Sequence, residues 1–217
     1  MIEDSVCFIV AAGDCYEETI NIREHDFLVA IDGGCDTVRR MGLVPDLVLG
    51  DFDSVQEDPV GKECIRLQRE KDETDTLYAV QLMAKRGYKY IIIYGGTGGE
   101  RISHTISNLQ TLIAFSNIHI FLLDRDEVMF LLVDGEIHFS KKCQGMLSVF
   151  SLTEESVGVS ERNLKYQLED AKMVHGYPIG VSNEFIGLES VVAVKKGMLL
   201  LCMEKNQLSK IETWVSY

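Results

Sequence analysis

Nothing in this sequence is long and apolar enough to cross a bilayer as a helix. After the acidic start Met1-Ile2-Glu3-Asp4-Ser5, the apolar stretch runs only from Val6 to Ala12, far short of the ~20 residues a spanning helix needs. It also lacks the positively charged flank of a secretory signal. A cytoplasmic protein is expected. Cysteine is present without a pattern: Cys7, Cys15, Cys35, Cys64, Cys143 and Cys202 include no Cys-x-x-Cys pair and no His at zinc-finger spacing. That argues against a zinc site or a disulfide frame and for reduced, mostly buried thiols. There are three prolines, and no Pro-rich or Gly/Ser-rich linker, repeat or low-complexity tract interrupts the chain. Basic residues are few as well, 21 Lys and Arg against 34 Asp and Glu, for a net charge of -13. With no basic stripe, such a chain repels a phosphate backbone, so nucleic acid is not an expected partner. An anionic substrate would need a divalent metal to bridge it to the carboxylates.

What is present suits a folded enzyme-sized protein. The 217 residues are 46% apolar and 25% charged, ordinary values for a chain that buries its own core. In the first half, the apolar runs Val6–Ala12, Phe27–Asp32, Leu47–Gly50, Tyr90–Tyr94 and Ile118–Leu123 read as strands covered on both faces. Helical patterns lie between them at Tyr16–Glu24, Asp36–Met41, Asp75–Arg86 and His104–Phe115. That alternation predicts an α/β domain with a mostly parallel sheet, over 1–125. From about Asp126 the texture is β-rich. Val128–Val133 and Glu136–Ser140 flank Asp134-Gly135, Ser190–Val194 and Met198–Glu204 flank Lys195-Lys196-Gly197, and both read as hairpins. Met146–Leu152 and Val157–Leu168 supply further strands, and an all-β domain over 126–217 is predicted.

Ligands of open α/β sheets bind beyond the carboxyl ends of the strands. Three apolar runs stop there in polar or glycine-rich residues: Asp32-Gly33-Gly34, Gly50-Asp51-Phe52-Asp53-Ser54 and Gly95-Gly96-Thr97-Gly98-Gly99. Asp51 and Asp53, two apart, direct both carboxylates to one side, a pairing that suits magnesium. An Asp-x-Asp alone is more often a polar turn. The second acidic run, Lys71-Asp72-Glu73-Thr74-Asp75, holds residues able to cap the helix that starts near Asp75. Capping does not account for the whole set of Asp32, Asp51, Asp53, Asp72 and Asp75, and one metal and phosphate site does. The glycine run leads into Arg101 and a helix, so its backbone N–H groups could cradle phosphate. It has neither the P-loop ending nor the dinucleotide spacing. His104 and Asn108 share a helix face.

In this order, the segments Asp32-Gly33-Gly34-Cys35, Pro45 to Ser54, Lys71 to Asp75 and Gly95 to His104 resemble the thiamine pyrophosphokinase family. The likeness continues at Asn163-Leu164-Lys165-Tyr166 and Gly180-Val181-Ser182-Asn183-Glu184. It implies a Rossmann-like ATP-binding α/β domain, a C-terminal β-sandwich that binds thiamine, and a homodimer. It also implies transfer of pyrophosphate from ATP to the thiamine hydroxyl with magnesium as the ion. By position, Asp51, Asp53 and Asp75 correspond to metal and phosphate ligands, with Asp32 and Asp72 close by. Gly33, Gly34, Thr97, Gly98, Gly99, Arg101 and His104 fall to the nucleotide, and Ser182 and Asn183, with Asp75, to thiamine. Where the family reads Gly-Gly-Arg-x-Asp-His, this chain has Gly99-Glu100-Arg101-Ile102-Ser103-His104, an added Glu and a Ser in place of the Asp. An Asp-x-Asp on such a sheet also suits a metal-dependent nucleotide-sugar glycosyltransferase, and the Ser leaves open a sensor that binds without turnover.

Overall fold

The computed structural model describes residues 4–52, 60–68, 70, 72–99 and 102–216, so Asp53 and Arg101 lie outside the described residues. The chain divides into two compact units, Met1–Arg125 and Asp126–Tyr217. The fold is mixed α/β, parallel strands in the first unit and antiparallel ones in the second. Among the described residues no helix is long and apolar enough to cross a membrane.

In the first unit, strands β1 (Val6–Val10), β2 (Phe27–Ile31), β3 (Leu47–Gly50), β4 (Glu63–Arg66), β5 (Tyr90–Tyr94) and β6 (His119–Leu123) alternate with helices α1 (Gly34–Arg40), α2 (Asp75–Lys85) and α3 (Ile102–Ala114). All these strands are parallel, in the spatial order β4-β3-β2-β1-β5-β6. The central strands are buried on both faces, β1 throughout, which is why their sequences read as unbroken apolar runs. The polar, exposed β4 had no such run to betray it. It is a short charged edge strand, the usual guard against pairing with another chain.

The helix predicted over Tyr16–Glu24 is absent. Ile20 is buried and Ile22 half-buried against the core of Phe8, Leu28, Val38 and Val48, so apolar contacts two residues apart draw the segment out as extended chain. It ends in a polar clasp. The Asp26 carboxylate, its side chain 1% exposed, accepts from the N–H groups of Val6 and Arg23 at 2.9 Å each and from the Arg23 guanidinium at 2.8 and 3.0 Å. Burial pushes this carboxyl up, but the bonds from Arg23 and Val6 outweigh it and hold the pKa at about 2. A depressed carboxyl stabilises the fold above its unfolded-state value and loses that contribution as pH falls toward its folded value. Asp26→Asn should thus cost about 2 kcal/mol at neutral pH, and the gap to the parent should close between about pH 5 and about pH 2. Urea unfolding across that range checks it, and parallel curves would remove Asp26 as a cause of acid sensitivity.

In the second unit the two predicted hairpins are single long strands. Glu127–Phe139 (β7) runs through Asp134-Gly135, and Ser190–Glu204 (β12) runs through Lys195-Lys196-Gly197. The two pair antiparallel over their lengths, with a register shift between Val194 and Met198. Asp134 is left-handed (φ 39) and its Oδ1 accepts the Gly197 N–H at 2.7 Å. The turn-forming dipeptides face each other across the ladder as bulges, where local chemistry bends strands without ending them. The remaining strands are β8 (Met146–Ser151), β9 (Glu155–Arg162), β10 (Leu168–Val174), β11 (Gly180–Glu184) and β13 (Ile211–Ser216). The predicted run Val157–Leu168 is thus divided between β9 and β10. On one edge of β12, its first half pairs with β9 and its second half with β8. β11 lies on β8, β10 on β9, and β13 on the far half of β7. Phe130, Leu132, Phe139, Leu147, Val149, Leu199 and Met203 are fully buried.

Candidate active site

Strand order decides where a ligand can sit. The chain proceeds from β1 to β4 on one side of β1, then returns to place β5 and β6 on its other side, so the connections part between β1 and β5. At such a switch point the loops separate and leave a crevice outside the carboxyl ends of the strands.

On the β2 and β3 side, the acids gather. Asp32 follows β2 in a left-handed conformation (φ 46), and its Oδ1 accepts the Phe52 N–H at 3.4 Å. Gly50 (φ 150) leaves room for this, since a Cβ there would strike the Asp32 carboxyl. Asp75 opens α2, whose N-cap Thr74 accepts the Leu77 N–H at 3.2 Å. Burial first, then the hydrogen bond and charge of Asp75, push Asp32 up to about 7 against the pull of the Phe52 N–H, and the charge of Asp51 adds the smallest push. Carboxyls brought this close hold a proton between them unless a cation takes its place. Asp32, Asp51 and Asp75 are brought together, while Asp72 lies exposed in the turn before Thr74. Among the described residues no group of three or more His, Cys, Asp or Glu is arranged to hold a metal ion. The predicted ligand Asp53 is outside them.

On the β5 side, the glycine run is held in place at both ends. Thr97, buried, donates its hydroxyl to Asp124 Oδ1 at 2.8 Å, just beyond β6. The Gly99 N–H donates to Asp14 Oδ2 at 3.0 Å, beyond β1. Gly98 and Gly99 are left-handed (φ 67 and 74), and a Cβ on Gly98 would stand 2.8 Å from the same Asp14 oxygen. Buried Asn108 of α3 donates to the Gly96 carbonyl at 2.6 Å, while His104, a turn earlier, is exposed. Gly33 caps α1 and Gly34 is its buried first residue. A side chain on Gly34 would collide with the Val10 carbonyl, so these glycines bring α1 against β1. Asp14 and Asp124 are additions to the residues the sequence points to, while Asn108 shares a helix face with His104 and holds Gly96. For Asp14 the available signal was Gly13-Asp14 at the end of the first apolar run, the same rule that selects Asp32 and Asp51.

In the second unit, Ser182 is exposed and left-handed (φ 60), with its N–H donating to Ser148 Oγ at 3.0 Å. Asn183 is 3% exposed. Its amide nitrogen donates to Glu161 Oε2 and to the Tyr166 carbonyl, each at 2.6 Å. Its oxygen accepts from the N–H groups of Tyr166 and Glu184 at 2.9 Å. The amide is thus fully occupied inside the unit, tying the Asn163–Tyr166 turn to β11.

The likeness to known proteins follows the same division of the chain. Residues 20–122 match the family model described as thiamin pyrophosphokinase, catalytic domain, and residues 135–199 match that of the vitamin B1 binding domain. The thiamine pyrophosphokinase of Bacillus subtilis (strain 168) is 29% identical over 187 residues, covering 82% of this chain and 87% of that protein. A crystal structure of thiamine pyrophosphokinase from Bacillus subtilis superposes with a TM-score of 0.83 at 25% identity, over 92% of this chain and 99% of the other. A thiamin pyrophosphokinase family protein from Enterococcus faecalis gives 0.80 at 28%, over 93% and 99%. Two domain matches in the right order, with the Asp32, Asp51 and Asp75 group inside the first, place this chain in the thiamine pyrophosphokinase family.

Proposed function

We infer that the protein is a thiamine pyrophosphokinase, transferring the pyrophosphoryl group of ATP to the hydroxyl of thiamine to give thiamine diphosphate and AMP. The observation that carries this is the acid group of Asp32 and Asp51 at strand ends and Asp75 at the start of α2, within the span that matches the catalytic domain. In this reading residues 1–125 form a Rossmann-like ATP-binding domain and residues 126–217 a thiamine-binding β-sandwich. The protein works in the cytoplasm as a homodimer. Exposed apolar residues of the second unit, Met146, Ile179, Val181, Ile186 and Leu188, support an association surface there.

The donor set of the acid group fits a hard cation, because carboxyls crowded enough to share a proton gain from exchanging it for a divalent ion. Asp51, Asp75 and Asp53 would hold magnesium, with Asp32 and Asp72 beside them. That ion supplies neutralisation of phosphate charge. The chain does the rest. The glycine run presents backbone N–H groups beside the crevice and keeps them rigid through Asp14 and Asp124. In phosphoryl-type transfer, such positioning matters more than covalent chemistry. Asp75 or Asp72 accepts the proton of the attacking hydroxyl. Ser182, exposed on β11, contacts thiamine.

Purified protein given ATP, magnesium and thiamine should form AMP and thiamine diphosphate in equal amounts. Formation of ADP in place of AMP, or release of UDP or GDP from a nucleotide sugar with no reaction of thiamine, would overturn the assignment.

A further inference from the structure

We propose that Arg125 is a nucleotide-binding residue of this site, its guanidinium gripping a phosphate of the substrate nucleotide. The inference rests on the proposed function and adds to it a cation that the sequence reading did not select. Arg125 lies two residues beyond the end of β6. Its neighbour Asp124 accepts the Thr97 hydroxyl that anchors the glycine run, which fixes the backbone of Arg125 beside the crevice. The guanidinium carbon stands 4.5 Å from the centroid of the Tyr16 ring. The Tyr16 hydroxyl donates to Asp14 Oδ2 at 3.3 Å, the oxygen that also takes the Gly99 N–H at 3.0 Å. Arg125, Tyr16, Asp14 and Gly99 therefore form one connected set that joins the loops after β1, β5 and β6 at the switch point.

The electrostatics point the same way. Asp14, Asp32, Asp51, Asp75 and Asp124 all surround this end of a sheet in a chain of net charge -13. A polyphosphate approaching them meets repulsion that a protein cation relieves. Among the described residues Arg125 has no carboxylate partner and rests on an aromatic face instead. A guanidinium held over an aromatic face keeps N–H donors free for bidentate contact with phosphate.

The test uses the full chain and separates the two substrates. Arg125→Ala should raise the KM for ATP about 10- to 100-fold, with the KM for thiamine within about 2-fold of the parent. Arg125→Lys should fall between, since a point charge replaces the fork. Tyr16→Ala should weaken ATP binding in the same direction, while Tyr16→Phe, which keeps the ring, should stay closer to the parent. Calorimetric titration with ATP, without thiamine, reads the same effect away from turnover, and thermal unfolding checks the fold of each variant. An Arg125→Ala protein that binds ATP within about 2-fold of the parent would overturn the proposal, as would equal rises in both KM values. A parent protein that makes no thiamine diphosphate would instead overturn the proposed function, leaving ATP titration of the variants to judge Arg125.

Discussion

Asp75→Asn will leave the protein folded and reduce kcat by about 100-fold or more, because the charge proposed to meet metal-bound phosphate is lost while the shape of the side chain is kept. Asp51→Asn should do the same. The more telling outcome concerns stability. Asp32 shares its hydrogen bond with Asp75 and is pushed up to about 7 by burial, by Asp75 and by Asp51. A carboxyl whose folded value is raised opposes folding as pH climbs from its unfolded value through the folded one, and opposes it fully above that. An amide at position 75 can donate to Asp32 and removes one of the crowded charges. Without magnesium, Asp75→Asn should therefore be more stable than the parent at neutral pH, by about 1 kcal/mol, the familiar exchange of stability against activity at a strained site. Adding magnesium should raise the unfolding temperature of the parent and barely move that of the variant. Near-normal turnover at limiting magnesium would take Asp75 out of the metal shell.

The second large effect belongs to the interior of the β-rich unit. Asn183→Leu should destabilise the protein by about 3 kcal/mol, lowering its unfolding temperature by about 10 °C. The asparagine makes four hydrogen bonds, and its loss strips Glu161 of its amide donor. Glu161 is 1% exposed, and its Oε1 has no partner among the described residues. Burial holds this carboxyl above its ordinary range, with the Asn183 amide pulling the other way. A raised carboxyl costs stability as pH rises, so Glu161→Gln, whose amide oxygen can still accept from Asn183, should equal the parent near pH 4 and match or exceed it at neutral pH. Thermal unfolding of the two variants decides the point: an unchanged midpoint for Asn183→Leu would show that the pair does not hold the unit together. Ser182→Ala then becomes the clean probe of thiamine contact, because a change at Asn183 disturbs the fold first.

How far the site could be read in advance varied with the kind of signal. Asp32 and Asp51 announce themselves by following unbroken apolar runs, because burial on both faces removes polar residues until the strand ends. Asp75 is marked by Thr74 and the helix it caps. Asp14 and Asp124 depend on partners 85 and 27 positions away along the chain, and no local pattern carries such a pairing. Asn183 sits in a polar stretch that suits a turn or a ligand, yet packing buries it.

By itself the sequence determined the parallel strands of the first unit, the strand-end acids, the glycine run and the family, since each is written in the local order of residue types. Tertiary structure alone decided that Tyr16–Glu24 is extended, that Glu63–Arg66 is an edge strand, and that Asp134-Gly135 and Lys195-Lys196-Gly197 are facing bulges rather than turns. The physical reason is common to all of them. Turn and helix propensities amount to about 1 kcal/mol per residue or less, and the burial of Ile20 or the continuous pairing of β7 with β12 outweighs that. Whether a left-handed Asp ends a strand or bends it depends on what lies across the ladder, and that is set by chain more than sixty residues away.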